Sequence, residues 1–295
     1  MVKLKSDPIT KEDISEYLER FSDFSFEIKV LRKLSSLGFS CEHSGTYEDP
    51  VTKRTREFDI RARKTLIEEQ NVSVELSLSV ECKNLKDNFP LVIHCMPRDE
   101  HECYLDLIWS SEPLSYIPVY ENSMRVPLEG DNCPYEKLTA VGKSTDQVGR
   151  KESQGSDLVG NDGDVFDKIS QAINSSYDLL EEAHYASTKE KDVVSLVIPV
   201  LVVPDNRIWS VCYKRTGEIE REPTLENNLE YYIGKSWLVG NSPNEYQRRY
   251  YLSHLEVVQI GSLFEMVNKY TTLTSISSFN ELNMNRLQAL ESRAI

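Results

Sequence analysis

The sequence has no apolar stretch long enough to cross a membrane. A membrane-spanning helix needs about 20 consecutive apolar residues, whereas the longest run here, "VVSLVIPVLVV" at 193–203, is shorter and contains Pro199. The opening stretch, "MVKLKSDPITKEDISEYLER", also lacks the apolar core of a signal peptide. We therefore expect a cytoplasmic protein without membrane contacts.

Paired cysteine spacings are absent as well. The six cysteines of the 295-residue chain show no CxxC pattern, so the sequence does not predict a disulfide framework. One cluster, "HCMPRDEHEC", holds His94, Cys95, His101 and Cys103, with Cys133 further along. Zinc binds such side chains, but the adjacent His94 and Cys95 would point to opposite sides of an extended segment. Buried thiols and surface histidines are the simpler interpretation, and zinc binding stays open.

Positive charge is scarce. The chain has 34 Lys and Arg against 48 Asp and Glu, a net charge of −14, which argues against a protein that coats nucleic acid by charge alone. The deficit is uneven, since residues 1–95 carry −2 and residues 96–295 carry −12. Within the first part, "KRTREFDIRARK" at 53–64 has six basic and two acidic residues. The acidity therefore lies mostly in the C-terminal two-thirds of the chain.

Periodicity predicts two N-terminal helices followed by three strands. The first helix lies within 7–21, with Thr10 as its N-cap. The second covers 25–38, with Ser25 as its N-cap and Gly38 as its left-handed stop. A turn in "YEDPVTKR" separates the first two strands. The strands are predicted around 39–48, 55–63 and 74–83.

The rest of the chain continues to alternate strands and helices. Residues 110–165 carry scattered proline, glycine and charge, and form either a long ordered insertion or a mobile loop. The later elements are a helix at 165–186, two strands around an Asp205–Asn206 turn, a strand near 254–260, and helices near 261–271 and 279–292. The class is therefore α/β or α+β with a mixed sheet. We divide the chain into an N-terminal helix (1–23), a first core part (24–109), the insertion (110–165), and the remaining core with an acidic C-terminal elaboration (166–295).

The stretch "LSLSVECKN" at 76–84 alternates apolar and polar residues. Because strand side chains alternate between faces, its apolar face would join the core, and its polar face would end in Glu81 and Lys83. These two lie about 7 Å apart along a strand, and a solvated salt bridge would explain that pair alone. Asp59 falls on the polar side of the preceding strand, which a short connection makes a neighbour. Both carboxylates are therefore expected on one polar side of the sheet.

Glu27 occupies an unexpected position in the second helix. On the helical wheel it lies within about 60° of Val30 and Leu34, inside the apolar stripe. A buried carboxylate needs a cation or strong donors to offset its desolvation. A structural ion pair with Arg56 or Arg61 is one explanation. Convergence with the other acids and a lysine on one site is the other.

The order of these residues resembles the PD-(D/E)xK, or restriction-endonuclease-like, nuclease superfamily. The similarity covers about residues 24–95, in "FEIKVLRKLSSLGF…REFDI…VECKN", with Asp59 and Glu81 22 positions apart. Phe58 stands where the motif name has proline, a position that varies in the family. The resemblance implies an αβββαβ core with a mixed central sheet and helices on both faces. It is closest to the bacterial defence and restriction branches.

The resemblance also implies metal-assisted hydrolysis of phosphodiester bonds. Asp59, Glu81 and the backbone carbonyl of Cys82 would bind Mg²⁺ or Mn²⁺, which prefer hard oxygen ligands. Glu27 would hold a second ion or a metal-bound water. Lys83 would orient the attacking water or stabilise the transition state.

Secondary contacts to nucleic acid are expected beside this centre. The superfamily often places a polar residue on the helix after the ExK strand, and Gln171 is the candidate here. A surface glutamine is the alternative. Basic residues that could contact phosphates, or simply form a solvated edge, are Lys53, Arg54, Arg56 and Arg61.

The predicted function is therefore a DNA endonuclease or exonuclease in antiviral defence or restriction. Because the chain is acidic, an activator or delivery subunit, or a homo-oligomer, would help it engage DNA. Two alternatives stay open. One is a non-catalytic nuclease-fold scaffold that binds a partner protein or nucleic acid, and the other is an RNA-directed nuclease.

Overall fold

The fold is described from a computed structural model of the chain. It describes residues 6–69, 72–110, 123–129, 133–151, 157–161, 163–188, 191–239 and 248–273. The helix predicted near 279–292 lies outside these residues. Among those described, no helix combines the length and apolar content that crossing a bilayer requires.

Four α-helices are present in the described residues. Thr10 caps the first as predicted, in a capping box with Asp13. The second begins earlier than predicted, because the Ser22 hydroxyl, not that of Ser25, accepts a backbone hydrogen bond as the N-cap. Gly38 ends it with a φ of +86°, as predicted. The helices are α1 (Lys11–Arg20), α2 (Asp23–Ser36), α3 (Gly163–His184) and α4 (Leu263–Leu273).

The strands build one large mixed sheet of 13 strands and a separate two-stranded ladder. They are β1 (Ser40–His43), β2 (Thr46–Glu48), β3 (Thr55–Glu57), β4 (Ile60–Glu68), β5 (Val72–Cys82), β6 (Leu91–Pro97), β7 (Leu105–Ser110), β8 (Ser123–Leu128), β9 (Ala140–Arg150), β10 (Leu158–Asn161), β11 (Asp192–Val203), β12 (Ile208–Cys212), β13 (Thr224–Glu226), β14 (Asn228–Val239) and β15 (Arg248–Gln259). The main path of the large sheet is β1-β4-β5-β11-β15-β14-β9-β6-β12-β13. The predicted mixed α/β class is confirmed at this level.

The predicted first three strands are each placed correctly, but two of them are divided. The turn in "YEDPVTKR" joins β2 to β3, and Asp49 stabilises it by accepting the backbone N–H groups of Val51 and Thr52 at 3.0 and 2.7 Å. These two short strands form the separate ladder. In the large sheet β4 runs antiparallel to β5, with Ile60 opposite Val80.

The described part of the segment 110–165 contains β8, β9 and β10. Of these, β9 lies between β14 and β6 in the large sheet. The predicted Asp205–Asn206 turn does join two strands, β11 and β12, but they do not form a hairpin. Instead β11 lies between β5 and β15, and β12 lies beside β6. The chain therefore crosses over at this turn, and the proposed division into domains stays a prediction.

Helices cover both faces of the sheet. On one face, α2 packs against the apolar side of β5, whose Leu78 and Val80 are buried there as predicted, and α4 packs against β15 in the same core cluster. On the other face, α3 lies over the polar side of the same strand, where the Ser79 hydroxyl donates to the Ala172 carbonyl at 2.9 Å. The polar side that the sequence predicts to be a surface is therefore buried under α3.

A buried polar cluster attaches α4 to the sheet. Lys269 donates to Glu230 and Glu256 at 2.9 and 2.6 Å, and Arg98 donates to the other oxygen of Glu230 at 2.8 Å. His254 lies in the same region, 2% exposed, with its ring 3.8 Å from that of Tyr135 between centroids. Burial, together with the positive charges of Arg98, Lys269 and Lys143, lowers the pKa of His254 to about 2.

This pKa makes the stability of the fold sensitive to acid. In the unfolded chain His254 takes up a proton below about pH 6.5, whereas in the folded chain it stays neutral down to about pH 2. Its contribution is therefore complete above pH 6.5 and is lost as the pH falls from there, by at most about 1.4 kcal/mol per pH unit. We expect His254→Phe to show a shallower loss of unfolding free energy between pH 7.5 and 5.5 than the wild type in urea titrations. Parallel slopes for the two proteins would contradict this.

Candidate functional site

Asp59 and Glu81 converge where β4 begins and β5 ends. The β4–β5 register pairs Ile60 with Val80, which puts the preceding Asp59 opposite Glu81. One oxygen of Asp59 accepts the backbone N–H of Cys82 at 2.7 Å, which fixes the carboxylate at the strand end. Glu81 is fully buried. The two acids that the sequence singles out are therefore neighbours.

A lysine that the sequence reasoning missed bridges the two acids. Lys168, on α3, donates to the two oxygens of Asp59 at 2.9 and 2.7 Å and to Glu81 at 2.8 Å. The signal was present in the sequence, since Lys168 lies three positions after the buried Val165 and four before the buried Ala172. On the helical wheel Lys168 lies in the apolar stripe of α3, as Glu27 does in α2.

Burial and the neighbouring charges shift the protonation of Glu81 and of Lys168. Burial and the charge of Asp59 raise the pKa of Glu81 to about 8, against the opposing effect of Lys168. Burial alone would lower the pKa of Lys168, but the charges of Glu81 and Asp59 outweigh it and raise that pKa above its ordinary value. At neutral pH the site therefore holds a charged lysine, and Glu81 retains a proton in much of the population.

Glu27 is buried as the helical wheel predicts, at 9% exposure. Burial and the charge of Asp59 raise its pKa, while a hydrogen bond with His43 opposes the rise. The ring Nε2 of His43 lies 3.2 Å from the Glu27 carboxylate. His43 ends β1 and pairs with Ile60 in β4, so Glu27 and His43 extend the cluster beside Asp59. Sequence reasoning did not identify His43.

The structural ion pair of Glu27 with Arg56 or Arg61, one of the two explanations left open by the sequence, is not formed. Arg56 pairs with Asp49 at 3.2 Å, and Arg61 pairs with Asp178 at 2.8 Å. Arg61 is only 6% exposed beneath α3. Its predicted contact with phosphate stays a prediction.

Lys83 pairs with Asp23 of α2 and not with the acid pair Asp59 and Glu81. Its ammonium lies 3.2 Å from the carboxylate of Asp23 in the first turn of α2. The same carboxylate accepts the backbone N–H of Asn84 at 3.0 Å. The end of β5 is therefore attached to the start of α2, and the cation in contact with Asp59 and Glu81 is Lys168.

The remaining predicted contact residues lie around this cluster. Lys53, Arg54 and Arg56 are exposed on the β2–β3 hairpin. Asn174 of α3 donates to Asp49 of that hairpin at 3.0 Å, so hairpin and helix are adjacent. Gln171 is half-buried on α3, three positions after Lys168. These placements bring the hairpin that carries the three predicted basic residues close to α3 without testing their role, and two of them pair within the hairpin, Lys53 with Glu48 and Arg56 with Asp49.

Asp59 and Glu81 suit a shared divalent cation by chemistry and by direction. Both are hard oxygen donors, and both lie within 2.9 Å of a single ammonium. In the part of the chain that the structure describes, Asp99, His101 and Glu102 are the one trio of His, Cys or acidic ligand atoms within 4.8 Å of one another. Glu27 therefore does not form a trio of ligand atoms within that distance with Asp59 and Glu81.

In the described residues the candidate zinc ligands form no trio of ligand atoms within 4.8 Å among themselves, although His101, Cys103 and Cys133 line one pocket. His94 contacts Tyr213 at 3.1 Å and Asp146 at 2.9 Å, while Cys95 is buried in the core cluster under α3. Neighbouring cations neutralise the two acids of the Asp99–His101–Glu102 trio, since Glu102 pairs with Lys143 and Asp99 pairs with Arg215.

No family model, curated protein or solved structure matches this chain. Its function must therefore be inferred from the geometry and chemistry of the cluster itself. The features available for that inference are the acid pair with its lysine, and the Glu27–His43 pair beside it.

Removing the bridging lysine should destabilise the fold strongly. Lys168→Met leaves two buried carboxylates without their cation, and breaking a buried ion pair in this way costs about 3–5 kcal/mol. The loss should shrink at pH 5, where Glu81 keeps its proton in the folded chain. Urea unfolding measures both values.

The matched control is Lys137→Met, which removes a lysine from the exposed pair with Glu100. Exposed pairs contribute little, so this variant should unfold close to the wild type. Equal midpoints for Lys168→Met and Lys137→Met would refute the structural role of the bridge.

Proposed function

We propose that this chain is a metal-dependent nuclease that hydrolyses phosphodiester bonds, with DNA as the substrate. The observation that carries the proposal is the convergence of Asp59 and Glu81 on one cation position, now contacted by Lys168. Two hard carboxylates directed at a single point are what a magnesium or manganese site requires of a protein.

The arrangement of elements supports a PD-(D/E)xK type of core. A helix (α2) supplies Glu27, and antiparallel strands (β4 and β5) supply the acid pair. The helix α3 then precedes β11, which runs parallel to β5 along 11 paired residues. This order agrees with helix, strands, helix and strand, although β6 to β10 intervene before α3.

Asp59, Glu81 and the Cys82 carbonyl would hold Mg²⁺ or Mn²⁺, which would supply Lewis acidity toward the phosphate and the attacking water. Glu81 binds as an ionised carboxylate, so it must first release the proton that its raised pKa retains. Lys168 would then give up its contact with at least one of the two carboxylates and would be the ammonium available at this site to neutralise phosphate charge. Glu27, whose carboxylate His43 contacts directly, would hold a second ion or a metal-bound water beside Asp59.

We assign to Lys168 the role that the resemblance gives to Lys83. Lys168 touches both acids, whereas Lys83 is held by Asp23. A compact ammonium next to the scissile phosphate stabilises charge as it develops. Lys53, Arg54 and Arg56 on the nearby hairpin would contact the DNA backbone. Because the net charge is −14, we expect a delivery partner or a second copy to assist binding in a defence or restriction setting.

A non-catalytic scaffold is the second candidate, and one observation favours it. The lysine neutralises the acid pair internally, and Asp23 neutralises Lys83. A fold that retained these groups for structure alone would look the same. The difference is that a scaffold would neither bind a divalent cation at Asp59 nor depend on Lys168 for a reaction.

Cleavage assays separate the candidates. Linear duplex DNA, single-stranded DNA and RNA are incubated with Mg²⁺, Mn²⁺ or EDTA. We expect metal-dependent cutting of DNA that falls at least about 100-fold in Asp59→Asn and Glu81→Gln. Lys168→Arg, which keeps the charge but moves it, should be impaired far more than Lys83→Met.

Asp99→Asn is the control, since it alters the other acidic cluster and should cut normally. Cutting of RNA alone would favour the RNA-directed alternative. Unchanged cleavage in Asp59→Asn would overturn the assignment, and a folded wild type that binds no metal and cuts nothing would favour the scaffold.

A further inference from the structure

The end of the large sheet that contains β6, β9 and β12 has one face in the core and one face that reaches solvent. Leu91, Ile93 and Ile208 are fully buried in the core cluster under α3. Because strand side chains alternate between faces, Val92 and Trp209 point to the opposite face, and they are partners in the parallel β6–β12 ladder. Both are partly exposed. A half-exposed indole therefore lies on the outward face of this part of the sheet.

Trp209 forms part of the wall of an open cavity of 420 Å³. This volume falls within the range of about 300–1,000 Å³ that is typical of small-ligand sites. Such sites have a mostly apolar wall, an aromatic ring and a small number of polar groups. The wall here has the same character, and its apolar side chains include Pro90, Val92, Val148, Val211 and Pro223.

The rim of the cavity is held by contacts between the β5–β6 connection and β9. The side-chain amide of Gln147 donates to the Phe89 carbonyl at 3.3 Å. The backbone N–H of Val148 donates to the Pro90 carbonyl at 3.2 Å. The Phe89 ring lies so close to Gly149 that a β-carbon at this glycine would come within 2.6 Å of it. Because these contacts already fix the rim, a ligand would not have to order it on binding.

The polar groups of the cavity favour an anionic ligand. Asp87 and Arg150 both line it, but Asp87 is already paired with Arg207. Within the described residues, the exposed guanidinium of Arg150 has no acidic partner. It is therefore the unbalanced charge of the lining, and its planar fork suits a phosphate. Asn88 adds an amide with both donors and an acceptor.

We propose that this cavity binds a nucleotide, with its base stacked on the indole of Trp209 and its phosphate paired with Arg150. A base offers a flat π-face to the indole and polar edges to the amide of Asn88. A sugar without a base would place its hydroxyl groups against the apolar wall. The same chemistry is available from a free mononucleotide or from the 5′-phosphorylated end of a nucleic-acid strand.

The proposed nucleotide site does not depend on the proposed nuclease chemistry. The two places are connected by residues 83–90, which join the end of β5 to the start of β6. Binding at Trp209 requires neither a metal nor the acid pair. Nucleotide binding is therefore measured in EDTA, and Asp59→Asn should bind like the wild type whether or not the chain cleaves DNA.

Tryptophan fluorescence tests the stacking directly. The chain has three tryptophans, and Trp109 and Trp237 are only 2% and 8% exposed, so a stacked base acts on Trp209. We expect saturable quenching by nucleoside monophosphates, tested with AMP, GMP, CMP and UMP, with dissociation constants below about 1 mM. In calorimetry, Trp209→Leu should weaken binding about 5- to 100-fold, and Trp209→Phe should lose less because it keeps an aromatic face. Phe264→Leu removes an aromatic ring of α4 that is 57% exposed, and should bind like the wild type.

Fragments of the ligand test the phosphate contact. Arg150→Gln should weaken nucleotide binding about tenfold and leave the binding of the unphosphorylated nucleoside unchanged. Arg32→Gln, which alters an exposed arginine of α2, should change neither. Ribose 5-phosphate has no base and should not quench the fluorescence.

A 5′-phosphorylated single-stranded oligonucleotide separates the two sources of the ligand. Tighter binding of the oligonucleotide than of the monophosphates would identify a strand end, and equal or weaker binding would identify the free nucleotide. The proposal is overturned if neither kind of ligand produces quenching or heat. It is also overturned if affinity is unchanged in a Trp209→Leu variant whose circular dichroism matches the wild type, or if ribose 5-phosphate binds as tightly as the nucleotides.

Discussion

The ammonium of Lys168 is the contact on which the candidate site depends. It lies within 2.9 Å of both Asp59 and Glu81, in a region where desolvation penalises every unpaired charge. Without a cation there, the two neighbouring carboxylates would repel each other. The lysine therefore joins α3 to the ends of β4 and β5 and also opposes the rise in the pKa of Glu81 that burial causes.

Further polar contacts keep α3 in the position that this bridge requires. Ser79 bonds to the Ala172 carbonyl, Arg61 pairs with Asp178, and Asn174 reaches Asp49 on the β2–β3 hairpin. Together they fasten one side of α3 to the polar side of β4 and β5. The face of the sheet that the sequence predicts to be solvent-exposed is thus a buried, hydrogen-bonded layer. Because α3 crosses this face, its Lys168 reaches Asp59 and Glu81.

The sequence predicted those parts of the site that follow from local periodicity. The wheel placed Glu27 in the apolar stripe of α2, and strand alternation placed Glu81 opposite the core face of β5. Neither rule identifies a partner that arrives from elsewhere in the chain. Lys168 is 87 residues from Glu81, beyond five strands, so its contact depends on topology. Asp23 likewise captures Lys83 through the packing of α2 on the end of β5.

Local rules also failed where neighbours compete. Serine is a favourable N-cap at either position, and α2 begins at the earlier one, with Ser22 as its N-cap. Arg61 was expected at the surface because it alternates with apolar residues, but α3 covers that face and Asp178 pairs with it. Residues 110–165 gave no clear period, yet β9 within them is an interior strand, because its backbone pairs with β6 on one edge and with β14 on the other.

The most direct measurement of the central claim is calorimetric titration of Mn²⁺ into the wild type, Asp59→Asn and Asp99→Asn, in two buffers of different ionisation enthalpy. The account predicts a single binding event in the wild type and in Asp99→Asn that is lost in Asp59→Asn. It also predicts proton release near pH 7, because Glu81 must ionise to bind the metal. Binding that survives Asp59→Asn but disappears in Asp99→Asn would contradict it and move the metal to the other acidic cluster.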